Sequence, residues 1–187
     1  MAREKTPLLC GGEERTGMFA LGELVVYGGE GVCRVERIGT LEIPGADKTR
    51  LYYTLLPLYR TGQVLTPVDT RVLMRPALTA EQARELMDSL DQLEPEEGPT
   101  GNLRLMKEHC QSVLASYDCA ALARFIRAAA GRRRRALEQG KKPSQMDERY
   151  LNQAEDRLYG ELGAALGLDR GEVADRIRET HPRWPEM

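Results

Sequence analysis

The chain has 187 residues, 30% of them charged and 5% aromatic, with a formal net charge of −2. That length holds one domain or two small ones, and the near-neutral balance excludes the global field that marks many nucleic-acid binders. No apolar run approaches the ~18 residues of a bilayer span, and no signal-peptide core is present. The four cysteines (Cys10, Cys33, Cys110, Cys119) are too far apart for CxxC chemistry. Two histidines do not complete a zinc site of familiar spacing, so reduced thiols in a cytoplasmic protein are expected.

Residues 1–17 mix three basic and three acidic side chains with Gly-Gly and a proline and show no periodicity. They read as a disordered leader, with Met18 as an alternative start. Leu24-Val25-Val26-Tyr27 is a β-branched and aromatic run left through Gly28-Gly29-Glu30-Gly31, a strand followed by a tight turn. That glycine cluster lacks the following helix and lysine of a phosphate loop. The next strand, Val32 to Ile38, alternates Arg34, Val35 and Glu36, as a strand with one wet face should. Gly39 to Lys48 reads as a strand end and a Pro44-Gly45 turn. Arg50 to Leu56 is the most β-prone stretch, Val64-Leu65-Thr66-Pro67 suits a sheet edge because of its proline, and Val72 to Pro76 closes the set. Five short strands over residues 18–78 predict a small β-barrel.

At Thr79 the period changes. Thr79 with Gln82 reads as an N-cap pair before Ala83, Leu86, Met87 and Leu90 on one face, and Glu94 to Gly101 breaks regular structure. Residues 79–101 are therefore read as a helix and linker. Helical spacing continues through Leu103–Leu114, Ala121–Ala129, Met146–Ala165 and Val173–Ile177, with Asp118, Ser144 (paired with Asp147) and Asp169 as caps and Gly167 as a stop. Residues 102–181 form a helical bundle and 182–187 a tail. The fold class is α+β, a small N-terminal β-barrel followed by a C-terminal all-α bundle.

Between residues 124 and 142, eight cations face one acid, Glu138, in a chain that is acidic overall. Arg132 to Arg135 wrap more than a helical turn and cannot all face a core. On charge alone this segment fits both a solvated helix end favouring the C-terminal dipole and a sequence-independent phosphate contact.

Phe19-Ala20-Leu21-Gly22-Glu23-Leu24-Val25-Val26-Tyr27-Gly28-Gly29-Glu30-Gly31-Val32-Cys33-Arg34-Val35 resembles the opening of the CarD/CdnL family of bacterial transcription regulators. Leu51 to Leu55, Thr66 to Asp69, Val72 to Pro76, Gly140-Lys141-Lys142, Asp147 to Leu151 and Ala154 to Leu162 continue the likeness in the same order, over about residues 18–180. The resemblance implies a Tudor/SH3-like barrel, shared with transcription-repair coupling factors, that docks by strand addition on the β subunit of RNA polymerase. The corresponding surface includes Thr40, Leu41, Glu42, Val64, Leu65 and Thr66. Some relatives carry arginines at the positions of Leu41 and Leu65, so a more apolar contact is expected here, with simple barrel packing an equal alternative for either leucine alone.

The family's helical domain binds promoter DNA, through the phosphate backbone and with a tryptophan wedge in the minor groove. That tryptophan is expected near Pro99 to Leu105 and is missing, and Trp184 in the tail takes no such role. Leu103 and Leu105 read as helix-packing residues, with a smaller wedge as the alternative. Cations placed to reach phosphates are Arg104, Lys107, Arg132, Arg133, Arg134, Arg135, Lys141, Lys142 and Arg149.

His109, Cys110 and Cys119 are an incomplete metal set, and neither Glu96-Glu97 nor Glu155-Asp156 is placed for acid–base work. No enzymatic activity, cofactor or metal is expected. The proline-marked edge argues against strand-mediated self-association, so the protein is expected to be a cytoplasmic, nucleoid-associated monomer. Two functions remain: a non-enzymatic transcription regulator touching polymerase and upstream promoter DNA, or a polymerase-docking adaptor whose helices bind another protein.

Overall fold

The computed structural model describes residues 19–42, 47–99 and 101–185. The expected leader and the Pro44-Gly45 turn lie outside them. Five strands are followed by five helices: β1 (Leu24–Tyr27), β2 (Gly31–Gly39), β3 (Tyr52–Pro57), β4 (Val64–Pro67), β5 (Met74–Pro76), then α1 (Ala80–Ser89), α2 (Leu103–Ser116), α3 (Cys119–Glu138), α4 (Gln145–Leu166) and α5 (Arg170–Thr180).

The strands form one antiparallel sheet in the order β4-β3-β2-β1-β5. The barrel expected from the sequence is an open sheet, because β4 and β5 do not pair with each other among the described residues. Each edge strand carries a proline without an N–H, and β5 is only three residues long. The sheet nonetheless rolls. Strands β1 and β4 stand three places apart, about 14 Å in a flat sheet, yet the Tyr27 hydroxyl donates to Thr66 Oγ1 at 3.0 Å. A bulge at Glu36, between the Val35 and Arg37 pairs, adds to the bend.

Val25, Tyr27, Cys33, Val35, Tyr53 and Leu55 fill the inside of this roll, with Phe19 packed on Tyr53 and its backbone N–H bonded to the Tyr53 hydroxyl at 2.8 Å. Val26 and Val32 lie opposite each other on β1 and β2 and are also buried. They turn to the other face, where with Leu122 and Tyr59 they line a cavity of about 160 Å³ between sheet and helices. Two covered faces explain why β1 is a continuous apolar run rather than an alternating one.

The helices start where their caps place them. Thr79 and Gln82 form a reciprocal capping box, as do Asp169 and Glu172, while Asn102 and Asp118 each accept two backbone N–H bonds. Ser144 accepts from the Asp147 N–H, but the Asp147 carboxylate turns away to Arg132. One core joins all five helices, centred on Leu86, Leu90, Phe125, Ile126, Leu158, Leu162 and Ile177. Helix α1 belongs to that core, and Leu93 after it is buried there too. Trp184 is also in it, with its Nε1–H bonded to the Tyr159 hydroxyl at 3.1 Å, so it is unavailable to any outside surface. No helix of the described residues is long and apolar enough to cross a membrane.

Candidate functional site

The sheet meets the bundle through a buried polar joint. Arg75 of β5 makes a two-pronged contact with Glu161 of α4, at 2.6 and 2.8 Å, and donates to the Tyr117 carbonyl at 3.0 Å. Glu161 also accepts from the Leu78 N–H at 3.1 Å and the Cys119 thiol at 3.2 Å. Tyr117 ends α2 in the left-handed region at φ 54°, uncommon for a side chain of its size. That turn presents its carbonyl to Arg75, and the Arg157 guanidinium lies 5.4 Å above its ring. Beside this joint the Tyr59 hydroxyl donates to the Gly160 carbonyl at 2.7 Å, with Arg170 stacked 4.2 Å over the Tyr59 ring. A Cβ on Gly163 would sit 2.6 Å from the Leu168 carbonyl oxygen, so glycine there lets the chain after α4 fold back tightly.

The outer edge of the sheet is β4. Its Val68 N–H donates to the Leu51 carbonyl at 3.1 Å, which fixes the alternation along the pair. Leu51–Val68, Tyr53–Thr66 and Leu55–Val64 are the bonded pairs. It follows that Leu65 points its N–H and C=O outward, whereas the Pro67 C=O accepts from the Thr70 N–H at 3.0 Å. Leu65 is also exposed, at 38%. Thr40, Leu41, Glu42 and Leu65 line one concavity together with Glu36, Arg37, Thr54 and Gln63. Four of the six residues assigned to this surface from the sequence thus share one face. Val64 and Thr66 face inward: Val64 packs on the sheet core, and Thr66 is buried with its hydroxyl bonded to Tyr27. The period of two along a strand forces this split.

The cations lie away from the sheet joint along the chain: at the start of α2 (Arg104, Lys107), the end of α3 (Arg132 to Arg135), in the following Lys141 and Lys142, and at the start of α4 (Arg149). They are not equivalent. Arg132 is only 17% exposed, bridges Asp147 at 3.1 Å and Glu97 at 3.4 Å, and lies 6.0 Å from the Phe125 ring centre. Arg135 is bonded to Glu97 at 3.0 Å, and Arg134 and Arg104 lie 3.7 Å from Glu138 and Glu108. Arg133 lies near Glu155, whose carboxyl burial pushes above the ordinary value while Arg133 partly offsets it. Lys107, Lys141, Lys142 and Arg149 are exposed. Arg127, counted among the cations of this segment, is buried and ties α3 to the Leu93 carbonyl.

Leu103 is 72% exposed and Leu105 40%, so neither packs in the bundle; the inward face of α2 is Cys110, Val113 and Leu114. His109 packs against the Phe125 ring and Cys110 is in the core. Among the described residues, no three His, Cys, Asp or Glu side chains are arranged to hold a metal ion.

Residues 19–78 match the model of the CarD-like/TRCF RID domain. The match spans the rolled sheet, all five strands of it. The RID domain of that family is known as one that binds RNA polymerase. The match ends before α1, leaving the helices outside it. The chain matches no curated protein.

Proposed function

We propose that this protein is a non-enzymatic bacterial transcription regulator. It docks on the β subunit of RNA polymerase through the free edge of its RID domain and touches upstream promoter DNA with the basic end of its helices. The RID match carries this reading, together with the outward-facing backbone of Leu65. Strand addition needs an unpaired N–H and C=O on an exposed edge, and β4 supplies them beside an open concavity. In this reading the roll is Tudor-like, Leu41 and Leu65 make the contact apolar, and the protein acts as a cytoplasmic, nucleoid-associated monomer. Leu103, exposed between an N-cap and Arg104, takes the place of a wedge at the minor groove.

The test is binding of the full chain to the isolated polymerase β lobe. The full chain is required because Leu78 and Arg75 bond directly to the helices. Leu65→Pro removes one outward N–H without breaking a β3–β4 bond, and Leu65→Ala removes only side-chain area. Saturable binding that falls about tenfold or more in the proline variant, and less in the alanine variant, is expected from losing a ladder bond and its register. Equal binding by Leu65→Pro and the unaltered protein refutes docking at this edge.

A polymerase-docking adaptor whose helices bind another protein is the second reading, favoured by the ion pairs that already occupy Arg132 and Arg135. Salt-dependent DNA binding of a Lys141→Ala, Lys142→Ala, Arg149→Ala variant separates the two. Removing a cation that neutralises a phosphate flattens the salt slope by about one unit, whereas the adaptor shows no such slope.

A further inference from the structure

The segment between α1 and α2 crosses the basic end of the bundle and is held there at several points. Leu93 is buried in the helical core and its carbonyl accepts from Arg127. The Glu96 N–H donates to the Arg124 carbonyl at 3.3 Å. A Cβ on Gly98 would lie 2.7 Å from His109 Cδ2 and 2.8 Å from Met106 Sδ, so the backbone rests directly on α2. Between these anchors the Glu97 carboxylate stands over α3 with one oxygen 3.0 Å from Arg135 and the other 3.4 Å from Arg132.

We propose that Glu97 is an internal phosphate mimic, occupying the seat that a DNA phosphate takes on Arg132 and Arg135 and so holding down the affinity of the helical domain for nucleic acid. The proposal rests on the DNA-contacting reading above. A carboxylate and a phosphate present the same paired oxygens to a guanidinium fork, and the two arginines, three residues apart, lie on one face of α3. Asp147 orients Arg132 from the other side at 3.1 Å, so the fork stays aimed at this seat when the carboxylate leaves. Glu97 is about half exposed, on a chain segment without regular structure, so displacement needs no rearrangement of the bundle. The Glu97–Arg135 pair is exposed and adds little to folding, and Arg132 keeps Asp147, whereas the Glu97 charge acts directly on a phosphate brought to the same place.

The test is fluorescence-anisotropy titration of the full chain with a short duplex DNA at several salt concentrations. Glu97→Gln is compared with Glu81→Gln, which makes the same change in net charge at the start of α1, beside the sheet joint. Glu97→Gln is expected to bind about three- to tenfold tighter than Glu81→Gln at low salt, with a salt slope steeper by about one to two units as two arginines become available. Equal or weaker binding by Glu97→Gln, with the unaltered protein binding DNA, overturns the mimic and leaves the DNA reading intact. Absence of binding by both the unaltered protein and Glu97→Gln at low salt overturns the two together.

Discussion

Replacing Glu161 by glutamine removes the negative half of the joint between sheet and helices while keeping its shape. The carboxylate side chain is 5% exposed and Arg75 17%, and the pair is closed by contacts at 2.6 and 2.8 Å. Breaking one side of a buried pair costs about 3–5 kcal/mol, chiefly by stranding the remaining charge. Arg75 keeps the Tyr117 and Pro76 carbonyls, and the amide oxygen of glutamine still accepts one bond, which lowers the expected loss to about 2–4 kcal/mol. That is a large share of a typical total of about 5–15 kcal/mol. Urea denaturation followed by two probes measures it. Trp184, the single tryptophan, reports the helical core, and far-ultraviolet circular dichroism reports the whole chain. The unaltered protein is expected to unfold in one coincident transition, and Glu161→Gln earlier, with the two probes no longer superimposing. Adding Arg75→Met to Glu161→Met should recover most of the loss of either single change, because it strands no charge. A Glu161→Gln protein within about 0.5 kcal/mol of the original, unfolding coincidently, refutes the joint as the coupling element.

Three further changes test packing and titration. Gly163→Ala gains about 1 kcal/mol of helix propensity but forces a Cβ to within 2.6 Å of the Leu168 carbonyl oxygen, for a net loss of about 1–2 kcal/mol by thermal melting. Gly131→Ala, whose Cβ meets only the flexible end of Arg135 at 3.6 Å, should instead gain about 0.5–1 kcal/mol. Burial holds the Glu155 carboxyl above its ordinary value of 4.5, so its contribution to stability is fully present below that value and is lost as pH rises through the folded-state value. Glu155→Gln should therefore raise the melting temperature slightly at pH 7.5, with the gain vanishing below about pH 4.5. A gain independent of pH, or a loss at pH 7.5, contradicts this.

The elements are legible because their punctuation is local. Thr79, Asp118, Ser144 and Asp169 all cap the helices that follow them, and Gly28 to Gly31 joins two antiparallel strands. What local pattern does not carry is which face of an element meets which neighbour. The run Leu24 to Tyr27 announces a strand, but nothing in it says that Val26 and Val32 turn toward the helices while Val25 and Cys33 turn into the roll. Closure is equally non-local: prolines mark β4 and β5 as edges, and whether two edges meet depends on the curvature of the strands between them. Leu103 and Leu105 lie outside the core their spacing suggests, because that spacing fits a helix equally well on its wet side.

The site is half visible in the sequence for a related reason. A charge count along residues 124–142 finds the arginines but not the acids that fold onto them, since Glu97 comes from the segment before α2 and Asp147 from α4. Burial then divides four adjacent arginines into different classes. Arg132 is enclosed by Asp147, Glu97 and Phe125, whereas Arg133 and Arg135 stand further into solvent. Substituting all four together would mix a folding defect with a binding defect. For the proposed phosphate contact the exposed lysines are the cleaner probes, and for its proposed restraint Glu97 is. The same helix that carries Asp147 at the basic end carries Glu161 at the sheet, about 21 Å away at 1.5 Å per residue. Because Glu161 is fixed to Arg75 and Asp147 to Arg132, α4 acts as a spacer of set length between the sheet and the cationic end. In the function proposed above, loosening either pair changes where the cationic end points once the sheet is docked, even when each surface alone is intact.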